Sequence, residues 1–282
     1  IKVTLEANEV QPIAFELFFH ATVACVVEDR EDRRDMHGFR KATDQIRYHQ
    51  SGLASGWLEV DGERVEIARE SWVATRDKSW GIRPMVGLPA ADLEPDYHQH
   101  IPQALAIWNP IVFLDDVGAS YAFHHYYLQF SGPGFSHQRI QGGFEGDSGQ
   151  REKVIGMTPQ LRFDSPSKRL QEGEFLLHME DGSDRLLKFK KLSETGFYLG
   201  SGHYHGGDGH HHGSWRGPLH VDGDYVENAA LPEVIERYHQ FRDCMIQVED
   251  TLTGATGYGN CQTYVHGAWP EFGLSGEEPM YY

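Results

Sequence analysis

Apolar and polar residues alternate in short runs along most of this chain, and Gly, Pro, Asn and Asp break the runs. A period of two puts one set of side chains on each face of a strand. The pattern predicts strands within 11–26, a hairpin over 45–70, and consecutive strands at Ile107–Phe113 and Tyr121–Phe130 joined by Asp115-Asp116-Val117-Gly118. Further strands are expected at 154–163, 174–180, 185–191 and 217–227, with Asp181-Gly182 as a tight turn. The one helical pattern is 232–243, opened by Pro232-Glu233. Pro84, Pro89, Pro95 and Pro102 make 84–103 a loop, the Gly- and Ser-rich stretch 131–150 reads as a linker, and 254–282 as extended chain.

One segment repeats. Gly52 to Glu66 aligns with Gly213 to Glu227, with Gly56/Gly217, Leu58/Leu219, Val60/Val221, Asp61-Gly62/Asp222-Gly223 and Val65/Val226 in register. Each copy reads as a hairpin closed by Asp-Gly. The expected architecture is therefore all-β, with little helix and two lipocalin-like barrel or sandwich domains related by duplication. They would cover 1–130 and 151–282, joined by the linker 131–150, with part of the first domain preceding Ile1.

Composition narrows the function classes. The 282 residues carry a formal charge of −17, which opposes binding to nucleic acid or anionic lipid. The mixed run Glu28–Asp35 reads as a solvated loop. No apolar run is long enough to span a membrane, and no leader is recognisable, so a cytoplasmic location is expected. Cys25, Cys244 and Cys261 are too few and too widely spaced for a disulfide framework or a metal knuckle, and read as buried thiols.

Three constellations could carry chemistry. Arg76-Asp77-Lys78-Ser79-Trp80-Gly81-Ile82-Arg83 packs mixed charges against a Trp, and it has no counterpart after the second repeat copy. Alternation puts Lys78 and Trp80 on one face, where a dry pocket would make Lys78 a base, with Asp77 facing the other way. The alternative is a surface ion-pair cluster. His203-Tyr204-His205 and His210-His211-His212 lie in a Gly-rich loop before Trp215; they read as solvated histidines, as one catalytic group (His212), or as a metal site. Tyr121, His125 and Tyr127 share one strand face, His124 and Tyr126 the other, as a pocket wall or a half-buried strand. Nucleotide, dinucleotide and serine-hydrolase fingerprints are absent.

Tyr48-x-Gln50-x-Gly52-x-x-x-Gly56, the Asp-Gly hairpin and Arg76-Asp77-Lys78-Ser79-Trp80-Gly81-x-Arg83 together resemble the AttH / hydroxyneurosporene synthase (carotenoid 1,2-hydratase) superfamily. Gly209-x-x-His212-Gly213-x-Trp215-x-Gly217 and Thr253-Gly254-x-x-Gly257-x-Gly259 extend the resemblance. It implies paired lipocalin-like domains and a cofactor-free acid–base site for a bulky hydrophobic substrate. The hydratase catalytic His and Trp would fall on Lys78 and Trp80, and a Tyr-x-Asp on Phe113-Leu114-Asp115. Lys in place of His, and Phe in place of Tyr, turn the expectation from carotenoid hydration toward elimination, isomerisation or retro-aldol cleavage of a phenolic or terpenoid molecule.

The expected function is thus a lyase or isomerase without cofactor or metal. Lys78 would be base or electrostatic stabiliser, with Asp77 on the other face bracing Arg76 or Arg83. Asp115, with Tyr121 or His125, would handle the second proton, and His212 would assist. Trp80, Trp108, Phe113, Tyr127 and Trp215 would line the substrate. The rivals are a lipocalin-like carrier and a metal enzyme built on the His-rich loop. The expected partner is a small hydrophobic molecule, with a homodimer left open.

Overall fold

The computed structural model describes residues 1–34, 41–83, 103–115, 118–164, 169–192, 197–198, 213–223, 225–228, 231, 233 and 242–276. The all-β expectation holds: the described residues form two antiparallel sheets and one short 3-10 turn, Pro270–Phe272.

The first sheet is built on β5 (Lys41–Val60). Against it pair β2 (Ile13–Ala21), β3 (Val26–Val27), β4 (Glu31–Arg34), β6 (Glu63–Ile67) and β7 (Val73–Ile82), while β1 (Lys2–Leu5) extends the β2 edge. One strand serves so many partners because β3, β4 and β7 take its first half and β2 and β6 its second. Asp61 and Gly62 close the β5–β6 hairpin with φ of 52° and 80°, so the Asp-Gly turn forms as expected.

The second sheet closes on itself. β8 (Gln103–Asp115), β9 (Gly118–Gly132), β10 (Phe135–Gly146), β11 (Arg151–Asp164), β12 (Arg169–Met179), β13 (Asp184–Lys191), β15 (Arg242–Asp250) and β16 (Thr256–His266) pair in sequence. β16 returns to β8, and β13 pairs β15 past the short β14 (Phe197–Tyr198). This is an eight-stranded up-and-down barrel of the lipocalin kind. Its inward side chains, among them Ile107, Phe113, Phe123, Phe175, Leu187 and Ile246, pack into one core, and a cavity of about 930 Å³ opens beside Tyr127, Met157, Leu161, Phe189 and Trp269.

Five sequence expectations change. The stretch 131–150 is not a linker: it holds most of β10, and Pro133-Gly134 is the β9–β10 turn, with Gly134 at φ 82°. β8 and β9, expected with the first domain, belong to the barrel. The second repeat copy forms no strand among its described residues, 213–223 and 225–227. Its Asp222 instead accepts from the Gly223 amide at 2.9 Å and pairs with Arg216 at 3.0 Å, which spends the turn carboxylate locally. The Glu28–Asp35 run is no simple loop, since Glu31–Arg34 is β4, held by Arg30–Asp44 and Lys41–Asp32 ion pairs. Of the expected helix, residues 242 and 243 open β15, and 232 and 234–241 lie outside the described residues.

Candidate functional site

The first sheet packs one face against the outer wall of the barrel, with β5 and β7 approaching β8, β9 and β16. Pairing fixes what each side contributes, because directly opposed residues share a face. On β5 and its neighbours, His49 opposes Asp77, and Gln45 opposes Glu31; the Glu28 amide donates to the Arg47 carbonyl. On the barrel, His124 opposes Gly143, and Tyr126 opposes both Gln141 and Trp108.

At the centre His49 and His124 stack, ring centroids 3.4 Å apart and planes 20° from parallel. Their residues are 3% and 0% exposed. Glu28 Oε1 lies 3.6 Å from His49 Nδ1 and 3.7 Å from His124 Nε2. Glu145 Oε1 lies 3.6 Å from His49 Nε2 and 3.5 Å from Arg151 Nε. The Trp108 indole N–H donates to His124 Nε2 at 2.8 Å. That bond puts the proton of neutral His124 on Nδ1.

The two imidazoles are driven apart in basicity. Burial pulls His49 down, but Glu145 and Glu28 more than offset it and hold His49 above its ordinary value. Burial, then the charge of His49 and the neighbouring His125, push His124 well below. The surroundings therefore favour a proton on His49 over one on His124. Both His49 nitrogens, His124 Nδ1, Glu28 Oε1 and both Glu145 oxygens are buried without a hydrogen-bond partner. A native interior leaves few such atoms, and their concentration here makes the cluster the candidate site. Beside them a polar cavity of about 40 Å³ is lined by Glu28, Arg47, Tyr126, Arg139 and Gln141. Its volume holds a water.

Glu28, His49 and His124 bring three donor atoms within 4.8 Å of one another, a spacing a metal ion could bridge. The orientation does not suit one: near-parallel stacked rings cannot aim in-plane lone pairs at a common point, and the Trp108 proton occupies His124 Nε2.

The sequence-derived candidates scatter. Lys78 and Trp80 do share a face, but it is the face of Tyr48, opposite to His49, and both are exposed, so among the described residues no dry pocket surrounds Lys78. Asp77 does face the barrel side, 3.9 Å from Arg47, and Trp108 lies in the same layer. Tyr121 donates to Asp250 at 2.5 Å, and Asp250 is gripped by Arg185 inside the barrel. Burial and that carboxylate push the Tyr121 phenol up to about 12. His125 is buried in the lumen against Phe123 and Phe175, and burial takes it down to about 3. Phe113 and Tyr127 are core, with Tyr127 donating to Gln129. Trp215 is exposed. Asp115 ends β8, opposite Gly118. His212 and the rest of the 203–212 loop lie outside the described residues. His49 and Glu145 went unnoticed in sequence, and Glu28 was read as part of a solvated loop, because they lie on two strands and the β3–β4 connection; the one available signal was His49 alternating with Arg47 on a long strand.

Residues 1–274 match the model of a family described as "Family of unknown function (DUF8625)". The chain belongs to that family. No curated protein matches this DUF8625 member. Among solved structures it is similar to kievitone hydratase from Nectria haematococca, with a TM-score of 0.46 and 12% identity over 94% of this chain. The match covers 65% of that protein, so the chain spans less than two thirds of its length. At that distance the likeness carries no argument about chemistry. Among the described residues no helix is long and apolar enough to cross a membrane.

Proposed function

We propose that this chain is an acid–base lyase or isomerase acting on a small, mainly hydrophobic phenolic or terpenoid molecule, with its proton chemistry in the layer between the first sheet and the barrel. The observation that carries this is the stacked His49–His124 pair held between Glu28 and Glu145 with unpartnered polar atoms. The motif resemblance to the hydratase superfamily supports the reaction class, and the cluster supplies the acid and base that Lys78 cannot supply from an exposed face.

For a dehydration, the Glu28 carboxylate removes a proton from the substrate, and His49 donates one to the departing hydroxyl. The C–O bond breaks, a C=C bond forms and water leaves. Glu28 is then protonated and His49 neutral. At 3.6 Å they can pass the proton back and restore the starting state. The water-sized cavity beside Glu28 and Arg47 suits the water released, or the water added in the reverse direction. His124, kept neutral by burial and anchored by Trp108, provides a face on which the imidazolium stacks without a second charge.

The rival reading is a carrier, and a cavity of about 930 Å³ lined by Tyr127, Met157, Leu161, Phe189 and Trp269 favours it. The test is incubation with pooled phenolic and terpenoid compounds, no cofactor added, following mass changes by spectrometry. Gain or loss of water with the native protein, abolished by His49→Gln and retained by Lys78→Met, supports the assignment. Turnover that survives His49→Gln in a folded protein, or that Lys78→Met abolishes, refutes it.

A further inference from the structure

The strand period of two sends different residues to the two sides of the barrel wall. On β9, His124 faces the first sheet and stacks on His49, while His125 and Tyr127 point inward among the core side chains. Gln129 follows on the inner side, opposed to the core residue Leu105. The cavity of about 930 Å³ lies on this inner side, for Tyr127, Met157, Leu161, Phe189 and Trp269 of its lining all belong to the barrel core. Phe272 stacks on Trp269, ring centroids 5.4 Å apart, so the turn Pro270–Phe272 forms part of the wall. The volume falls within the range of small-molecule sites, roughly 300–1,000 Å³.

Two carboxamides complete the lining. Gln129 and Gln138 oppose each other across β9 and β10. Gln129 Oε1 accepts from the Tyr127 hydroxyl at 2.7 Å, which leaves Nε2 as the donating end of that amide. Among the described residues nothing accepts from it. Arg162, Glu172, Glu174 and Lys188 also border the cavity, but they alternate with Leu161, Gly173 and Phe189 along their strands. They pair on the outer surface, Arg162 with Glu172 at 2.8 Å and Lys188 with Glu174 at 3.6 Å. The inner lining therefore offers apolar surface and amide groups, with no cation to receive an anion. A charged molecule would lose its hydration there without compensation.

We infer that the barrel holds a second ligand site. An uncharged, mainly apolar molecule lies between Met157, Leu161, Phe189 and Trp269, and a carbonyl or hydroxyl oxygen of that molecule accepts a hydrogen bond from Gln129 Nε2. The barrel wall separates this site from His49 and His124, and binding in it involves no proton transfer. The inference thus goes beyond the acid–base reading and does not rest on it.

The test uses N-phenyl-1-naphthylamine, an uncharged reporter whose fluorescence rises in apolar surroundings, at pH 7.5. The competitors are 2-acetylnaphthalene, which carries a ketone oxygen, 2-ethylnaphthalene, which lacks it, and 2-naphthoate, which is charged. Circular dichroism confirms that each variant is folded. The native protein should bind the reporter saturably and prefer the ketone over the hydrocarbon about fivefold, the worth of one hydrogen bond. 2-Naphthoate should compete about tenfold more weakly than the ketone. Leu161→Trp fills the cavity and should weaken reporter binding about tenfold. Gln129→Glu keeps an acceptor for Tyr127 but cannot donate, so it should erase the ketone preference while 2-ethylnaphthalene still displaces the reporter. Should Leu161→Trp fail to fold, the Gln129→Glu comparison decides alone. The proposal is overturned by absence of saturable reporter binding, by unchanged binding in folded Leu161→Trp, by a ketone preference that survives Gln129→Glu, or by 2-naphthoate competing as well as the ketone.

Discussion

Two buried polar networks in this molecule are made of similar residues and behave in opposite ways. At one end of the barrel, Arg185 grips Asp250 through its Nε and Nη2, reaches Glu152 at 2.9 Å, and lies 3.6 Å over the Phe144 ring. Tyr121 donates to the same Asp250 and meets Thr253 at 2.8 Å. These contacts tie β9, β13 and β15 together, and the Arg185 bonds hold Asp250 below its ordinary range despite its burial. Between the sheets, His49, His124, Glu28 and Glu145 are as deeply buried, yet their facing atoms stand 3.6 Å or more apart and make no hydrogen bonds to one another. A fully paired network closes a fold. A network left open holds protons ready to move, and costs stability for it. Asp243 and Asp250 make the same contrast on one strand: the first pairs with no cation among the described residues and is raised by burial, the second has Arg185 and is lowered.

The contrast can be broken by mutation. The largest effect should come from Arg185→Met, which leaves Asp250 buried and uncompensated and should cost ~3–5 kcal/mol in urea unfolding. A loss under ~1 kcal/mol would show that this network does not close the barrel. Asp243→Asn should act in the opposite direction. Its folded pKa lies above the unfolded value, so Asp243 favours the fold only in acid, and that support is lost as pH rises from about 4 through about 6. Removing the charge should therefore raise stability at pH 8 by ~1–3 kcal/mol and leave it nearly unchanged at pH 3.5. A destabilised Asp243→Asn at pH 8 would show that the carboxylate is structurally required. In the lumen, His125 is a buried imidazole with neither nitrogen partnered, between Phe123 and Phe175. His125→Phe should be neutral or stabilising by up to ~1–2 kcal/mol in thermal unfolding, and a loss of that size would reveal a partner for His125.

The smallest effect concerns how the two sheets hold together. His49 has a raised pKa, so its contribution is fully present below the unfolded value and fades as pH rises through the folded one. Hydrogen exchange of β5 and β7 amides should accelerate over that window while β11–β13 amides do not change. Uniform acceleration of both sets would mean that the cluster does not govern the packing of the first sheet.

Much of the fold was legible because strands write a period of two. β8, β9 and the β11–β13 meander fall where alternation puts them, and Asp61-Gly62 and Asp181-Gly182 close turns with positive φ at Gly. β10 was hidden because Gly142 and Gly143 look like loop, whereas they are small for a packing reason: a Cβ on either would strike His124, His125 or Glu152. The second Asp-Gly copy misled because local sequence cannot report that Asp222 is spent on Arg216 and its own turn. Arg76–Arg83 drew notice as a dense cluster, and alternation rightly paired Lys78 with Trp80. Which face meets the barrel is decided by packing, not by the strand itself. Glu28 comes from the β3–β4 connection and His49, His124 and Glu145 from three separate strands, and only the closed barrel with a sheet laid on it brings them together.

The central claim is that His49 and His124 hold one proton between two unequal sites. Labelling the histidine ring nitrogens with ¹⁵N and titrating by NMR, with His49→Gln and His124→Gln to assign the signals, tests it directly. The account predicts that His49 remains protonated above pH 6.5 and that His124 stays neutral, its proton on Nδ1, throughout the folded range. Two histidines titrating together near pH 6.5 would contradict it.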